Sequence, residues 1–477
     1  MISSKLSLQD ISTTYTLIII SILCTYLAPP VIKFICFMVI LFLYYRTKND
    51  YIYLALLFFI ISIPGELFYN RTEDIVKISI LEISFAEMFT VTAFFKHFQM
   101  MRGQVRFPFK KAYSLYFTFI LILIIYGFLF GMGLSGTWGT GLGAYRRIAK
   151  MIILYSLFLT IPVMIDQEWK MVKFVQLIFT FVLFNLILQI INVLYGVNFN
   201  QYLGGEKVGM IFDIRPTYGT YLSFIAFVMS IYFLNTGILN KKYLFIIMIA
   251  SSLSIVVTAT RGWMVSIFFI FILIFISNYK FNIYRYFKTI IPLALLFLLA
   301  YQFTIINKQL FYSYNRFLTL ELILSGDLTA GGTSSRLTTR SVPVMNMFYQ
   351  RPFIGWGFTT KAFESYDVHI GNQSMLMSGG VIGYIIFMLT ISSIIYVIMK
   401  SKKKYGFNLV KAKYLYIFII AIGGLFIIHS SSTDLFSYMA PTYGDQVYKI
   451  VFLAIFFSIV TTIINNLYNE NEAKRIS

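Results

Sequence analysis

Long apolar runs alternate with short polar breaks along almost the whole chain. The runs are 14–29, 31–45, 51–66, 78–96, 112–132, 148–165, 172–195, 217–235, 243–259, 262–278, 286–306, 374–399, 414–430 and 448–467. A helix needs about 20 apolar residues to cross a hydrocarbon core of ~30 Å. The pattern therefore predicts an all-α integral membrane protein with twelve to fourteen transmembrane helices. The lower count applies if the short run 31–45 and the run 78–96, which carries Glu82 and Glu87, do not cross. One break is different in kind. Residues 307–373 separate an N-terminal bundle (1–306, about eleven spans) from a C-terminal set of three spans and a short tail (374–477). Loops that long are usually functional or disordered. This one has helical spacing of apolar residues over 336–349 after Thr333-Ser334-Ser335, which predicts an N-capped amphipathic helix at the membrane surface. Gly355 and Gly357 around Trp356 predict a tight turn.

Composition supports the membrane assignment. Hydrophobic residues make up 58% of the 477 and charged residues 12%, and the mean hydropathy is +0.78, too little polar surface to cover several soluble cores. A net charge of +20 on a soluble chain would suggest nucleic acid. Here the Lys and Arg residues lie between apolar runs, so they report topology, and the expected partner is the lipid bilayer. With the N-terminus in the cytoplasm, the inner breaks collect Arg102, Arg106, Lys110, Lys111, Lys241, Lys242 and the run Lys400 to Lys413, whereas 431–447 carries no Lys or Arg. An even span number returns Lys474 and Arg475 to the cytoplasm. Cys24 and Cys36 lie in apolar runs and build neither a disulfide framework nor a zinc site. The first run ends at Pro29-Pro30 without a small-residue cleavage site and reads as a span.

Several outer-side cations run against the orientation rule: Arg146, Arg147, Arg215, Arg261, Arg336, Arg340 and Arg351. A guanidinium at the membrane is expensive unless paired or solvated, which makes these functional candidates. The planar fork suits phosphate or pyrophosphate oxygens. The outer acids Glu66, Asp213, Glu321, Asp327, Glu364, Asp367, Asp434 and Asp445 form no tight metal-binding motif. Of the three histidines, His97 is expected to be solvated in a basic loop and His429 to be structural. His369, just before a span, is the candidate general base.

Four segments and one further arginine resemble the bacterial O-antigen polymerase and O-antigen ligase superfamily. Arg351-Pro352-Phe353-Ile354-Gly355-Trp356-Gly357-Phe358 resembles its P-x-x-G-x-G turn, and His369 precedes Gly380-Val381-Ile382-Gly383 at that family's eleven-residue interval. Ile370 stands where the family often has Asn, with Asn372 two residues beyond it. Arg215-Pro216-Thr217-Tyr218-Gly219 opens a span, Thr260-Arg261-Gly262 resembles an S-R-G turn, and Arg336 lies sixteen residues before Pro352. The likeness covers about 200–383. It implies a GT-C-like glycosyltransferase in the bacterial inner membrane that uses an undecaprenyl-pyrophosphate-linked oligosaccharide on the outer face, without nucleotide sugar, metal or other cofactor. It also implies roles: Arg215 and Arg261 on the leaving pyrophosphate, His369 as base, and Arg336, Arg340, Arg351 and Asn372 in substrate binding. Partners would be a chain-length regulator and a flippase. The expected activity is repeat-unit polymerisation, for O-antigen, capsule or exopolysaccharide. The alternatives are ligation to lipid A-core and, from another class, flipping of a lipid-linked oligosaccharide.

Overall fold

The structure, a computed structural model, describes residues 6–62, 76–78, 81–103, 105–130, 143–195, 216, 218–277, 339–431, 433–437 and 443–476. Among these the chain is helical apart from a small antiparallel hairpin, β1 (Val76–Ile78) and β2 (Leu81–Ile83). The helices before the long loop are α1 (Leu8–Leu27), α2 (Pro30–Arg46), α3 (Asp50–Ser62), α4 (Phe85–Gly103), α5 (Lys110–Phe130), α6 (Gly143–Tyr155), α7 (Leu157–Met164), α8 (Glu168–Tyr195), α9 (Thr220–Thr236), α10 (Lys241–Val257) and α11 (Arg261–Ser277). Within and after the loop come α12 (Ser341–Gln350), α13 (Thr360–Ser365), a 3-10 turn (Val368–Ile370), α14 (Gly371–Tyr405), α15 (Val410–Lys413), α16 (Tyr416–Ser431) and α17 (Tyr443–Ile476). Among the described residues six stretches are long and apolar enough to cross a membrane: Leu8–Thr25, Lys110–Gly127, Glu168–Val193, Val368–Tyr405, Val410–Ser431 and Val447–Lys474. Shorter apolar helices stand at Asp50–Ser62, Ile148–Met164, Thr220–Thr236 and Arg261–Ile274. The expected span 286–306 lies outside the described residues, as does Thr333-Ser334-Ser335; the helix expected after it begins at Ser341.

Polar residues set the helix boundaries. Ser7 and Asp10 form a capping box that starts α1 ahead of its apolar run. Ser84 and Glu87 cap one another at α4, with Ser84 N–H donating to Glu87 Oε2 at 2.7 Å. That cap moves the expected 78–96 span seven residues along the chain and leaves Glu82 on β2. It also corrects the reading of His97 as a solvated loop residue. His97 is 3% exposed, inside α4, with the Tyr44 hydroxyl 3.3 Å from its Nε2 and Asp50 3.8 Å away.

Ion pairs gather one set of helix ends. Lys96 meets Asp50 at 2.5 Å and Lys173 meets Asp10 at 2.9 Å, while Lys411 bridges Glu168 (2.9 Å) and Glu470 (2.8 Å). These contacts join the starts of α1, α3, α8 and α15 to the ends of α4 and α17. At the opposite end the α9 cap residue Gly219 donates its N–H to Ser62 O, the last residue of α3 (2.9 Å). Between the two layers α17 is the central post. Residues 447–464 are all buried, and the helix packs on α3, α6, α7, α8 and α14. By contrast α1, α2 and α14 turn apolar side chains outward, among them Leu23, Phe42, Ile385 and Leu389, as a lipid-facing surface requires.

Helix α14 is broken once, at Gly380 (φ 63°, ψ −171°). The turn 352–357 fills the break. Trp356 and Gly357 N–H donate to Met377 and Ser378 O (2.9 and 2.7 Å), and Val381 and Ile382 N–H donate to Pro352 and Phe353 O (2.8 and 3.1 Å). Both strained positions require glycine. A Cβ on Gly380 would lie 2.2 Å from Phe353 O, and one on Gly355 (φ 75°) would lie 2.5 Å from Gly380 N. Gly355→Ala and Gly380→Ala should each cost on the order of 3 kcal/mol, from left-handed backbone strain plus overpacking. Gly237 (φ 72°), with nothing within 4 Å of a Cβ, should tolerate Asn for about 1 kcal/mol or less. Thermal unfolding of the purified proteins in detergent checks this ranking.

Candidate functional site

The turn that locks into α14 delivers the rest of the loop to the start of that helix. Thr359 caps α13, its Oγ1 accepting from Ala362 N–H at 3.4 Å. Asp367 caps the 3-10 turn, its Oδ1 accepting from His369 N–H at 2.8 Å. Ser374 Oγ donates to Asp367 O at 2.7 Å and fixes that turn on α14. The Arg340 guanidinium, at the start of α12, reaches both Asp367 oxygens at 3.4 Å. This pair is partly exposed, so it orients more than it stabilises. Asn372 Nδ2 donates to Ser430 Oγ at 2.8 Å, and the Tyr384 hydroxyl donates to Asn372 Oδ1 at 3.3 Å. Gly371 lies directly against the carbonyl and imidazole of His429, where a Cβ would come within 2.4 Å. Arg340 and Asp367 thus pair beside the start of α14, with His369 in the turn that Asp367 caps and Asn372 bonded across to α16.

Behind them is a buried ionic network. Segment Thr433–Ser437 turns back beside the last turn of α16, with Thr433 N–H on Ile428 O (3.1 Å) and Phe436 N–H on His429 Nδ1 (3.3 Å). Accepting at Nδ1 makes the His429 ring neutral with its proton on Nε2. The fold-back buries Asp434 completely, between Lys449 of α17 and the hydroxyl of Tyr366. Tyr366 also shares a hydrogen bond with Ser437 Oγ. Lys449 is 2% exposed. Asp434 therefore ties the loop, the α16–α17 connection and the central post together. Sequence reasoning missed Lys449 and Tyr366. The available signal was a lysine inside the apolar run 448–467, an intramembrane charge that calls for a partner.

Below this network lies a cleft whose walls are almost entirely apolar, including Tyr116, Phe117, Phe158, Phe387 and Phe436. The Tyr116 hydroxyl donates to Phe436 O at 2.6 Å and closes one side. The other expected residues divide. Arg261 opens α11, half-buried at the same end of the bundle, after a turn in which Ala259 holds a positive φ of 49°. Two residues on, Trp263 packs on Tyr221 and Phe452. Arg351 is held elsewhere on the loop, against Tyr126 and Trp356. Arg215 and Arg336 lie outside the described residues, and the side chains of Arg146 and Arg147 are not described. Among the described residues no three His, Cys, Asp or Glu side chains are grouped as a metal would need. No protein-family model matches the chain, and no curated protein matches its sequence.

Breaking the buried pair on one side leaves a lone charge, at a cost of about 3–5 kcal/mol. Lys449→Met and Asp434→Leu should each lose that much, and the double variant should regain most of it. A double-mutant cycle of thermal stabilities measures the coupling.

Proposed function

We propose that this protein is a polyprenyl-pyrophosphate-dependent glycosyltransferase of the bacterial inner membrane. It would join undecaprenyl-pyrophosphate-linked oligosaccharide repeat units into O-antigen, capsular or exopolysaccharide chains on the outer face. The observation that carries the reading is the position of Arg340, Asp367, His369 and Asn372 at the start of α14, above an apolar cleft and at the same end as Arg261. A cation, a partly buried imidazole and an amide beside an apolar groove suit an amphiphile with a diphosphate head and a sugar. The motif resemblance over 200–383 supplies the rest of the reading.

In this reaction a hydroxyl oxygen of the acceptor repeat unit attacks the anomeric carbon of the donor chain. The bond from that carbon to the pyrophosphate oxygen breaks, and the lipid pyrophosphate leaves with the bonding pair. His369 takes the acceptor's proton. Its place in the 3-10 turn is set through backbone, by the Asp367 cap. Arg261, with Arg215, offsets the charge that develops on the leaving group. The cleft under Phe436 takes part of the carrier chain. Both termini are assigned to the cytoplasm, beside the basic breaks, which puts this chemistry outside.

The test is reconstitution in nanodiscs with the lipid-linked repeat unit of the protein's own locus, products being resolved by length. A ladder of lengths is expected. His369→Ala should lower its rate by about 10²–10⁴-fold, and Arg261→Ala by about 10²–10³-fold. Transfer only to added lipid A-core would make the protein a ligase. Folded protein that yields neither product, but moves the lipid-linked unit across the bilayer, would make it a flippase.

A further inference from the structure

The turn in the α14 break carries features that the sugar-transfer site does not use. Beyond the break, Val381–Tyr405 continues as helix, about 37 Å at 1.5 Å per residue. That alone spans a ~30 Å hydrocarbon core. The far end of this stretch carries Lys402, Lys403 and Lys404, so the break lies at the opposite membrane boundary. There Phe353 is 72% exposed and Ile354 44%. Just before them and at Phe353, the Pro352 and Phe353 carbonyls accept from Val381 and Ile382 N–H of α14, whose own side chains point outward with Ile385 and Leu389. The turn therefore extends the lipid-facing stripe of α14 up to the boundary.

The turn and the α13 helix that follows it set two cations on one ring. The Arg351 guanidinium lies 4.2 Å from the Trp356 centroid and donates to the Tyr126 hydroxyl at 2.5 Å. Lys361 Nζ lies 5.3 Å from the same centroid. Trp356 Nε1–H donates to Met347 O at 2.7 Å and fixes the ring. Neither cation pairs with a carboxylate among the described residues, and neither contacts the Arg340–Asp367–His369 group. Two like charges sharing one ring repel unless an anion lies between them. Apolar side chains at acyl depth, a tryptophan at the boundary and cations above it match the layering of an anionic leaflet.

We propose that the turn 351–357 with Lys361 binds the headgroup phosphate of an anionic phospholipid in the outer leaflet. Phe353 and Ile354 enter the acyl region, Arg351 and Lys361 grip the phosphate, and Trp356 is the platform that spaces them. Arg351 then belongs to a lipid site and not to the donor site. The lipid's occupancy would hold the α14 break, and with it His369 and Asn372, in register.

The test uses full-length protein extracted into mild detergent from membranes of phosphatidylcholine with phosphatidylglycerol, the retained lipids being counted by native mass spectrometry. The wild type should keep one phosphatidylglycerol in preference to phosphatidylcholine. Arg351→Gln and Lys361→Gln should each weaken that retention about fivefold, the worth of one cation at such a surface. Lys361 is exposed, so its variant keeps the test valid if Arg351→Gln fails to fold. Phe353→Ser with Ile354→Ser should weaken both lipids. Unchanged phosphatidylglycerol retention in Lys361→Gln overturns the proposal. So does displacement of the lipid by soluble pyrophosphate in the wild type, which would return the site to a substrate diphosphate.

Discussion

A helix broken at the membrane boundary frees backbone donors and acceptors that lipid cannot satisfy, and everything at the loop-bearing end depends on how this chain meets that constraint. The break at Gly380 is filled by the turn 352–357, two hydrogen bonds running each way. Each segment satisfies the other, and neither arrangement is tolerable alone in an apolar setting. The close approach has a steric condition, met only because Gly355 and Gly380 both lack a Cβ. The interlock then fixes the chain that follows. From Gly357 it is a short path through α13 to Asp367, His369 and Asn372, with no freedom for the loop to wander from the start of α14.

The second anchor is ionic. Asp434 is buried between Lys449 and Tyr366, which links the loop to the most enclosed helix in the molecule. Such a pair gains little over a well-packed apolar alternative and is costly to break on one side. Its use here is positional. It pins the fold-back 433–437, which in turn accepts the Tyr116 hydrogen bond over the apolar cleft and presents Phe436 N–H to His429. The loop-bearing end is thus built on the most enclosed helix, while apolar side chains on the helices around it face outward.

Most of the helix pattern among the described residues was legible as apolar runs, while six stretches there, against the twelve to fourteen spans expected, are long and apolar enough to cross a membrane. The runs 31–45, 172–195, 243–259 and 414–430 correspond to α2, α8, α10 and α16 within a few residues. Boundaries slipped where a local cap, not hydropathy, decides the helix start, as at Ser84 and Glu87. The tight turn around Trp356 was legible from its two glycines. That the turn docks into a helix break was not, since Gly380 lies some 25 positions along the chain and its place in the Gly380-Val381-Ile382-Gly383 motif indicates a span start rather than a break. His97 was misplaced for a related reason: its burial comes from Asp50 and Tyr44 on other helices. Arg340, His369 and Asn372 were candidates from the sequence, but the contact of Arg340 with Asp367 spans 27 residues and no local spacing signals it. The Lys449–Asp434–Tyr366 network joins three separate segments, and no local pattern announces it.

The account stands on the interlocked end facing out of the cytoplasm. The direct measurement is labelling of single cysteines by a membrane-impermeant maleimide in intact cells, with Cys24 and Cys36 replaced by serine. Exposed positions are available at both ends of α14: Glu364→Cys just ahead of it and Lys403→Cys in its last turn. The account predicts that Glu364→Cys is labelled in intact cells or spheroplasts and Lys403→Cys only after the inner membrane is permeabilised. The reverse pattern would put the candidate site in the cytoplasm and contradict the account.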